Sequence, residues 1–396
     1  MDTTGSWELP EEYRMLQENV RRFMAEEVRP AESRVEHDAT ALPVEVLGRL
    51  QEKARALGLW CVQSPVVHGG AGLNLLAQCI VAEEAAKCRM GLYFPACGAF
   101  GMDPPLVIFR GTPHQIEKYG ESSIERGART FVAISEAGGG SDPARSIATQ
   151  ARRDGDRYIL NGSKMWISGV DKAEWGVLYA RTGALGDRGG ITAFIVDPRR
   201  PGIRFTKIPV MRSYQPFEVH LEDYEVPVED RLGEEGEGFA LAEQWLVHAR
   251  VPYAAASIGV AQAALDMAID WARNRKTFNS LLADKQAIQW MLVDCEMDLK
   301  ASRLLVYQAA WNGDLGRNIK VDAALAKVFA TEAAGRVVDR CMQIFGGLGV
   351  ANELPLERWY RELRIRRIGE GPSEVQKMLI ARDLISQGGQ SSAAYA

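Results

Sequence analysis

The 396-residue sequence contains no apolar run approaching the roughly 18 residues needed to cross a bilayer. The stretch Met1–Glu11 has neither the basic region nor the apolar run of a secretory leader, so the reading is cytoplasmic, with no membrane partner. The six cysteines (Cys61, Cys79, Cys88, Cys97, Cys295, Cys341) form no CxxC pair and read as small buried hydrophobes. Five scattered histidines without an HExxH pattern give no expectation of a metal site. GxSxG is missing, which removes the usual signature of nucleophilic hydrolysis. Excess positive charge is missing too. A net charge of −5 and a pI near 5.8 argue against a phosphate-binding surface for nucleic acid. GxGxxG between a strand and a helix is also lacking: Gly138–Gly140, Gly233–Gly238 and Gly346–Gly349 have other spacings. A dinucleotide, if bound, is not bound by a Rossmann turn.

What is present fills two or three domain-sized cores, with 46% hydrophobic and 25% charged residues. Residues 1–128 carry helical stripes, first at Tyr13, Leu16, Val20, Phe23 and Met24, with Pro30 as the expected stop. A second stripe runs through Val44, Leu47, Leu50, Ala54 and Leu57, and a third helix is expected over Leu75–Ala86. Residues 129–238 change to a strand period. Asn161-Gly162 between Tyr158–Leu160 and Lys164–Ile167 predicts a tight hairpin. Further strands are expected over Trp175–Ala180, Ile191–Val196, Ile203–Ile208 and Glu218–Tyr224. Residues 239–387 return to long helices, Val260–Arg275, Asp284–Gly313 and Val321–Phe345, with the pattern of an antiparallel four-helix bundle. Residues 388–396 read as a flexible tail. The fold class is thus α+β and multidomain: a helical domain, a middle β-barrel or sandwich-like domain, and a helical bundle.

Several motifs stand in a fixed order along this frame. Phe131-Val-Ala-Ile-Ser-Glu-Ala-Gly-Gly-Gly-Ser-Asp142 offers approachable backbone N–H groups and hydroxyls at a sheet edge. Lys164-Met-Trp-Ile-Ser168 follows, then Val226-Pro227 through Leu232-Gly-Glu-Glu-Gly-Glu-Gly-Phe239. The helical region contributes Arg275-Lys-Thr-Phe278 with Gln286, Gln343-Ile-Phe-Gly-Gly-Leu-Gly349, and Arg366-Arg-Ile-Gly-Glu-Gly-Pro-Ser-Glu-Val-Gln376. Singly, each has a plain explanation. Trp166 suits a core, Arg275 a solvated helix face, the glycines a helix cap, and Glu370 a helix start.

Together, from Trp7 to Gln387, they resemble the FAD-dependent acyl-CoA dehydrogenase family. The resemblance implies flavin contacts from Val132, Ile134, Ser135, Gly140 and Ser141, with Trp166 packed on the ring and Ser168 near its N5 edge. It implies that Phe278, Gln286, Gln343, Gly346 and Gly347 also contact the cofactor, and that Arg275 reaches the FAD pyrophosphate of a neighbouring subunit, and hence a homo-oligomer, dimer or tetramer. A guanidinium suits that task because it binds phosphate oxygens bidentately. Ser141, Leu246, Val247, Arg250 and Gly371 are expected on the acyl-CoA. An electron-transferring flavoprotein is the implied acceptor.

Glu370 matches the family's catalytic glutamate. Some members carry the base beside the arginine corresponding to Arg250, but here that neighbour is Ala249, which accepts no proton. The implied reaction removes an α-proton through Glu370 and a β-hydride through the flavin, giving a trans-2-enoyl-CoA. Two residues depart from the pattern. Gly369 stands where straight-chain enzymes carry tyrosine, which leaves space for a branched, cyclic or hydroxylated acyl group. Pro372 replaces a threonine and removes a hydroxyl near the cofactor. Met90–Phe100 is the expected floor of the acyl pocket, and core packing accounts for its aromatics equally well. Three alternatives on the same scaffold stay open: an acyl-CoA oxidase, a nitroalkane oxidase, or a catalytically silent flavoprotein.

Overall fold

A computed structural model describes residues 8–386; the predicted tail at 388–396 lies outside the described residues. The chain divides into two compact units. The first comprises the stretch ending at Lys53, Asn74–Ala99, and the chain from Val247 onward; the second comprises Ala54–Leu73 and Phe100–Leu246.

The first unit is helical. Helix α1 (Glu11–Phe23) buries Val20 and Phe23 and carries Glu11 and Glu12 at its start and Arg21 and Arg22 at its end, complementing the helix dipole. Pro30 does not end this run, contrary to expectation. A wide π-turn, Met24–Val28, precedes it, and Pro30 then falls at the start of a fresh helical turn, Arg29–Glu32, where its missing N–H is not needed. Helix α2 (Val44–Ala56) follows, and then α3 (Leu75–Ala85), which is apolar on nearly all sides and buried. Its first N–H groups are satisfied by Asn74 Oδ1 (3.0 Å from Ala77 N) and by the Asp314 carboxylate (2.7 and 3.0 Å from Leu75 N and Leu76 N).

Five further helices contribute to the unit: α4 (Gly238–Asn274) from Val247 onward, α5 (Gln286–Asp314), α6 (Lys320–Phe345), α7 (Leu356–Arg366) and α8 (Ser373–Ser386). Helices α4 to α7 close on α3 through one core that includes Ile80, Ala255, Ile258, Leu299, Val306, Ala326, Ala330 and Val337. Small residues set the spacing. A Cβ at Gly259 of α4 would fall well inside van der Waals contact of the Glu83 carbonyl oxygen on α3, so only glycine permits that approach.

The second unit is built on one eight-stranded sheet: β1 (Thr130–Ala133), β2 (Gln150–Asp154), β3 (Arg157–Ser168), β4 (Trp175–Arg181), β5 (Ile191–Val196), β6 (Ile203–Lys207), β7 (Pro216–Pro227) and β8 (Arg231–Leu232). The order is β6-β7-β3-β2-β4-β5-β8, with β1 parallel to β4. The predicted hairpin at Asn161-Gly162 is absent. β3 runs straight through it with a register shift against β7 between Leu160 and Gly162. The glycine serves a close approach instead: at φ +145°, its Cβ would lie 2.7 Å from Thr149 Cα. The actual turn comes earlier, at Gly155 (φ +65°) between β2 and β3.

Candidate active site

Glu370 lies in the short segment joining α7 to α8, and its backbone is left-handed at φ +56°. A side chain larger than glycine holds that conformation at a cost, so the surroundings must enforce it. Three cations do. Arg250 Nε of α4 donates to the Glu370 carbonyl at 2.9 Å. Lys327 Nζ of α6 donates to Gly371 O at 2.8 Å and to Arg367 O at 3.4 Å. Arg366, at the end of α7, donates from Nη1 to Tyr253 O at 3.1 Å and from Nη2 to Leu92 O, with its guanidinium 3.8 Å from the Tyr253 ring centre. Arg366 thereby ties the Met90–Phe100 segment and α4 to the Glu370 loop. Gly371 (φ +88°) completes the turn, and a Cβ there would run into the Gln376 side chain.

Glu370 as a residue is partly open, but its Oε2 is shut off from solvent and accepts no hydrogen bond from any described residue. Burial raises the carboxyl's pKa above its ordinary value, an effect only partly offset by the positive charges of Arg250, Arg366 and Lys327. The reverse holds for Lys327: burial brings its ammonium down to about 8, with the Glu370 charge opposing the fall. A buried, unpartnered carboxylate of raised basicity is suited to taking a proton from a weak carbon acid.

In the sheet unit, Phe131–Ser135 and Lys164–Ser168 come together. β3 breaks register against β7 again between Lys164 and Ile167, and the Met165 N–H there donates to Ser135 O at 2.8 Å. This bulge puts Trp166 at φ +67° and turns its indole outward, 54% exposed. Below it, Lys164 is fully buried and pairs with Glu136 at 2.7 Å. Glu136 also accepts from Thr149 Oγ1 (2.6 Å), Thr149 N (3.1 Å) and Ala148 N (2.7 Å). Ser168 Oγ accepts from Arg212 Nη2 at 3.0 Å. Val132, Ile134 and Ser135 are partly open on this edge, and Gly140 and Ser141 are exposed.

At one end of the helical unit, the Arg275 guanidinium lies 5.5 Å from the Trp271 ring, which stacks on Phe345 at 5.2 Å, beside the exposed Gly346-Gly347 turn. Gln343, Gln286 and Phe278 are exposed, Phe278 at 96% on a tight hairpin turn with φ +51°. Leu246 and Val247 lie partly open on α4, one turn before Arg250.

Comparison with known proteins decides what these sites belong to. The sequence matches the N-terminal (residues 10–125), middle (132–224) and C-terminal (236–385) domains of acyl-CoA dehydrogenase. It is 36% identical to a 3-(aryl)acrylate reductase of Clostridium sporogenes, over 95% of this chain and 99% of that protein. It is also 36% identical to the mitochondrial short-chain specific acyl-CoA dehydrogenase of Bos taurus, over 96% and 92%. The chain belongs to the acyl-CoA dehydrogenase family. The solved butyryl-CoA dehydrogenase of Megasphaera elsdenii superposes with a TM-score of 0.84 at 30% identity, over 96% of this chain and all of that one.

Membership makes this acyl-CoA dehydrogenase homologue an oxidoreductase with FAD as cofactor, and the residues present fit that group. An exposed indole on a strained bulge, flanked by a serine hydroxyl and open backbone, offers a flat face with polar neighbours, as an isoalloxazine requires. Among the described residues no helix is long and apolar enough to cross a membrane. The sequence reading missed Lys327, Arg366 and the Glu136–Lys164 pair. Arg366 and the Glu136–Lys164 pair were detectable, since all three residues stand inside the motifs; Lys327 stands outside them. Away from Glu370, Glu32 accepts from Arg89 N (2.8 Å) and lies 3.6 Å from Cys97 Sγ, which is 3.8 Å from Cys88 Sγ. The sequence reading took both cysteines as plain core residues.

Proposed function

We propose that the chain dehydrogenates an acyl-CoA thioester between Cα and Cβ, with Glu370 as the base that removes the α-proton. The observation that carries this reading is the Glu370 carboxylate: sealed, raised in basicity and without a partner at Oε2, on a loop held by three cations. The residue's own backbone N–H serves the thioester oxygen, where negative charge develops as the proton leaves. Bound FAD supplies the hydride acceptor. Val132, Ile134, Ser135, Gly140, Ser141, Trp166 and Ser168 hold it from the sheet unit, while Ser141, Leu246, Val247 and Gly371 line the substrate. Arg250, expected along the acyl-CoA, keeps that place and also anchors the base loop through the Glu370 carbonyl.

An oligomer, dimer or tetramer, is part of the reading. Trp290, Val293, Met297, Leu304 and Trp311 form a heptad-like stripe on α5, each between 46% and 62% exposed, which is the pattern of a face covered by another helix. Arg275 then serves the cofactor of a neighbouring copy, and Phe278, Gln286, Gln343, Gly346 and Gly347 add further cofactor contacts. The acceptor is an electron-transferring flavoprotein. The names of the relatives make short straight-chain acyl-CoAs and 3-arylpropionyl thioesters, whose dehydrogenation gives the 3-arylacrylyl product, the first substrates to try.

The test is anaerobic bleaching of the flavin by a panel of acyl-CoA esters, repeated with Glu370→Gln. The variant should retain FAD and lose about 10²- to 10⁴-fold in the rate of flavin reduction. Full activity in Glu370→Gln would remove the assignment. Fast reaction of the reduced enzyme with O₂ would favour the oxidase reading instead.

A further inference from the structure

The missing side chain at Gly369 does not leave empty space. A Cβ at Gly369 would lie 2.8 Å from Tyr253 Oη, 3.8 Å from Tyr253 Cζ and 3.7 Å from Ile365 O. The tyrosine hydroxyl of α4 therefore already occupies the position a residue-369 side chain would enter. Tyr253 is not free to swing away. Its ring packs 3.8 Å from the Arg366 guanidinium, and its main chain is fixed separately by the carbonyl, which accepts from Arg366 Nη1 and from Ser257 Oγ, each at 3.1 Å. A buried guanidinium against an aromatic face is a firm clamp. The sequence expectation that Gly369 opens room for bulky acyl groups is thus corrected. The space beside the base is filled from a helix far away in the chain.

We infer that Tyr253 is the specificity-determining residue of the acyl site, its phenol forming the wall beside Glu370 and limiting the substrate to acyl-CoAs unbranched next to the reacting carbons. This rests on the reading of Glu370 as the base, because only then do its immediate neighbours border Cα and Cβ. Gly369 and Tyr253 form one unit: a small residue at 369 is required because the phenol is there, and the phenol is tolerated because 369 has no side chain.

The flavin-loaded, full-length protein is tested with a straight short-chain acyl-CoA, a β-branched one and a 3-aryl-propionyl-CoA. Tyr253→Ala should raise the kcat/KM ratio of branched to straight substrate at least tenfold, the scale that loss of a methylene-sized obstruction produces. Gly369→Ala should lower both flavin reduction and melting temperature, since its methyl meets Oη. Adding Tyr253→Phe should restore both, because the nearest ring atom is then at the ordinary contact distance of 3.8 Å. An unchanged ratio in an active Tyr253→Ala protein would overturn the inference. So would a Gly369→Ala protein as stable and active as the parent, or a failure of Tyr253→Phe to rescue it. If no acyl-CoA bleaches the parent's flavin, the proposed reaction fails. The melting temperatures still decide whether Tyr253 fills the 369 position.

Discussion

Lys327→Met tests the electrostatic frame of the base loop through two independent readouts. Lys327 is fully buried on α6, and its ammonium donates to Gly371 O at 2.8 Å and to Arg367 O at 3.4 Å. Burial lowers its pKa to about 8 from an ordinary 10.5. Between those two values the unfolded chain holds a proton that the folded protein has released, so stability rises with pH across this window. Below pH 8 both states are protonated, and the penalty for burying the charge is fully present. The gap of 2.5 pH units, at about 1.36 kcal/mol each, makes that penalty about 3 kcal/mol. Methionine has a similar shape and no charge, so it abolishes the penalty together with the two bonds to carbonyls, each worth about 1.5–3 kcal/mol for a charged donor. Near pH 7 the two effects oppose one another.

The informative quantity is the difference between the proteins as pH rises. The parent should gain about 3 kcal/mol on Lys327→Met between pH 8 and 10.5, a few degrees in melting temperature. Lys164, also lowered to about 8 by burial, is the same in both proteins and drops out of the difference. The second readout is catalytic. Lys327 is one of three charges that hold the Glu370 pKa down against burial. Without it the carboxyl binds its proton more tightly, and the acid limb of kcat/KM moves to higher pH. A flat stability difference across pH 7.5 to 10.5, or an acid limb that moves down, would refute the reasoning.

Lys164→Met leaves Glu136 buried with only Thr149 and Ala148 as partners. It should cost about 3 kcal/mol, at the lower end for breaking a buried pair, read as a fall in melting temperature together with faster loss of FAD on dialysis. Gly259→Ala drives a methyl into the Glu83 carbonyl between α4 and α3, where neither backbone can yield. Destabilisation of about 3 kcal/mol or more is expected, and a melting curve unchanged from the parent would show that the helices separate freely.

The long helices and most strands were legible because their apolar periods survive intact. Ile191–Val196 is fully buried as the apolar run implied, and α6 follows its stripe of Ala323, Ala326, Ala330 and Val337. Local signals misled where a residue answers to a neighbour outside its own segment. Gly162 makes room for Thr149 rather than turning the chain, and Pro30 is accommodated by a π-turn one step earlier. The same distinction governs the site. Glu370 and Arg250 were identifiable from the order of the motifs, but the supporting bonds from Lys327 and Arg366 were not. Lys327 sits on α6 where any solvated helix lysine might, and nothing near it in sequence reveals that the Gly371 carbonyl receives its charge. Tyr253 and Gly369 are adjacent only after α4 and α7 have packed.

The bonds of the three cations explain how a carboxylate surrounded by positive charge stays basic. Lys327 donates to Gly371 O and Arg367 O, Arg366 to Tyr253 O and Leu92 O, and Arg250 Nε to Glu370 O. None of them reaches Glu370 Oε2. Had one of them closed on the carboxylate directly, the charge-assisted bond would have drawn its pKa well below the ordinary range and made it a poor acceptor for an α-proton. Directing the donors at main-chain carbonyls instead fixes the strained φ of Glu370 and leaves only a Coulombic pull on the side chain. Desolvation then outweighs that pull, and the net shift is upward. The loop is thus held rigidly by charges that do not quench the group it presents.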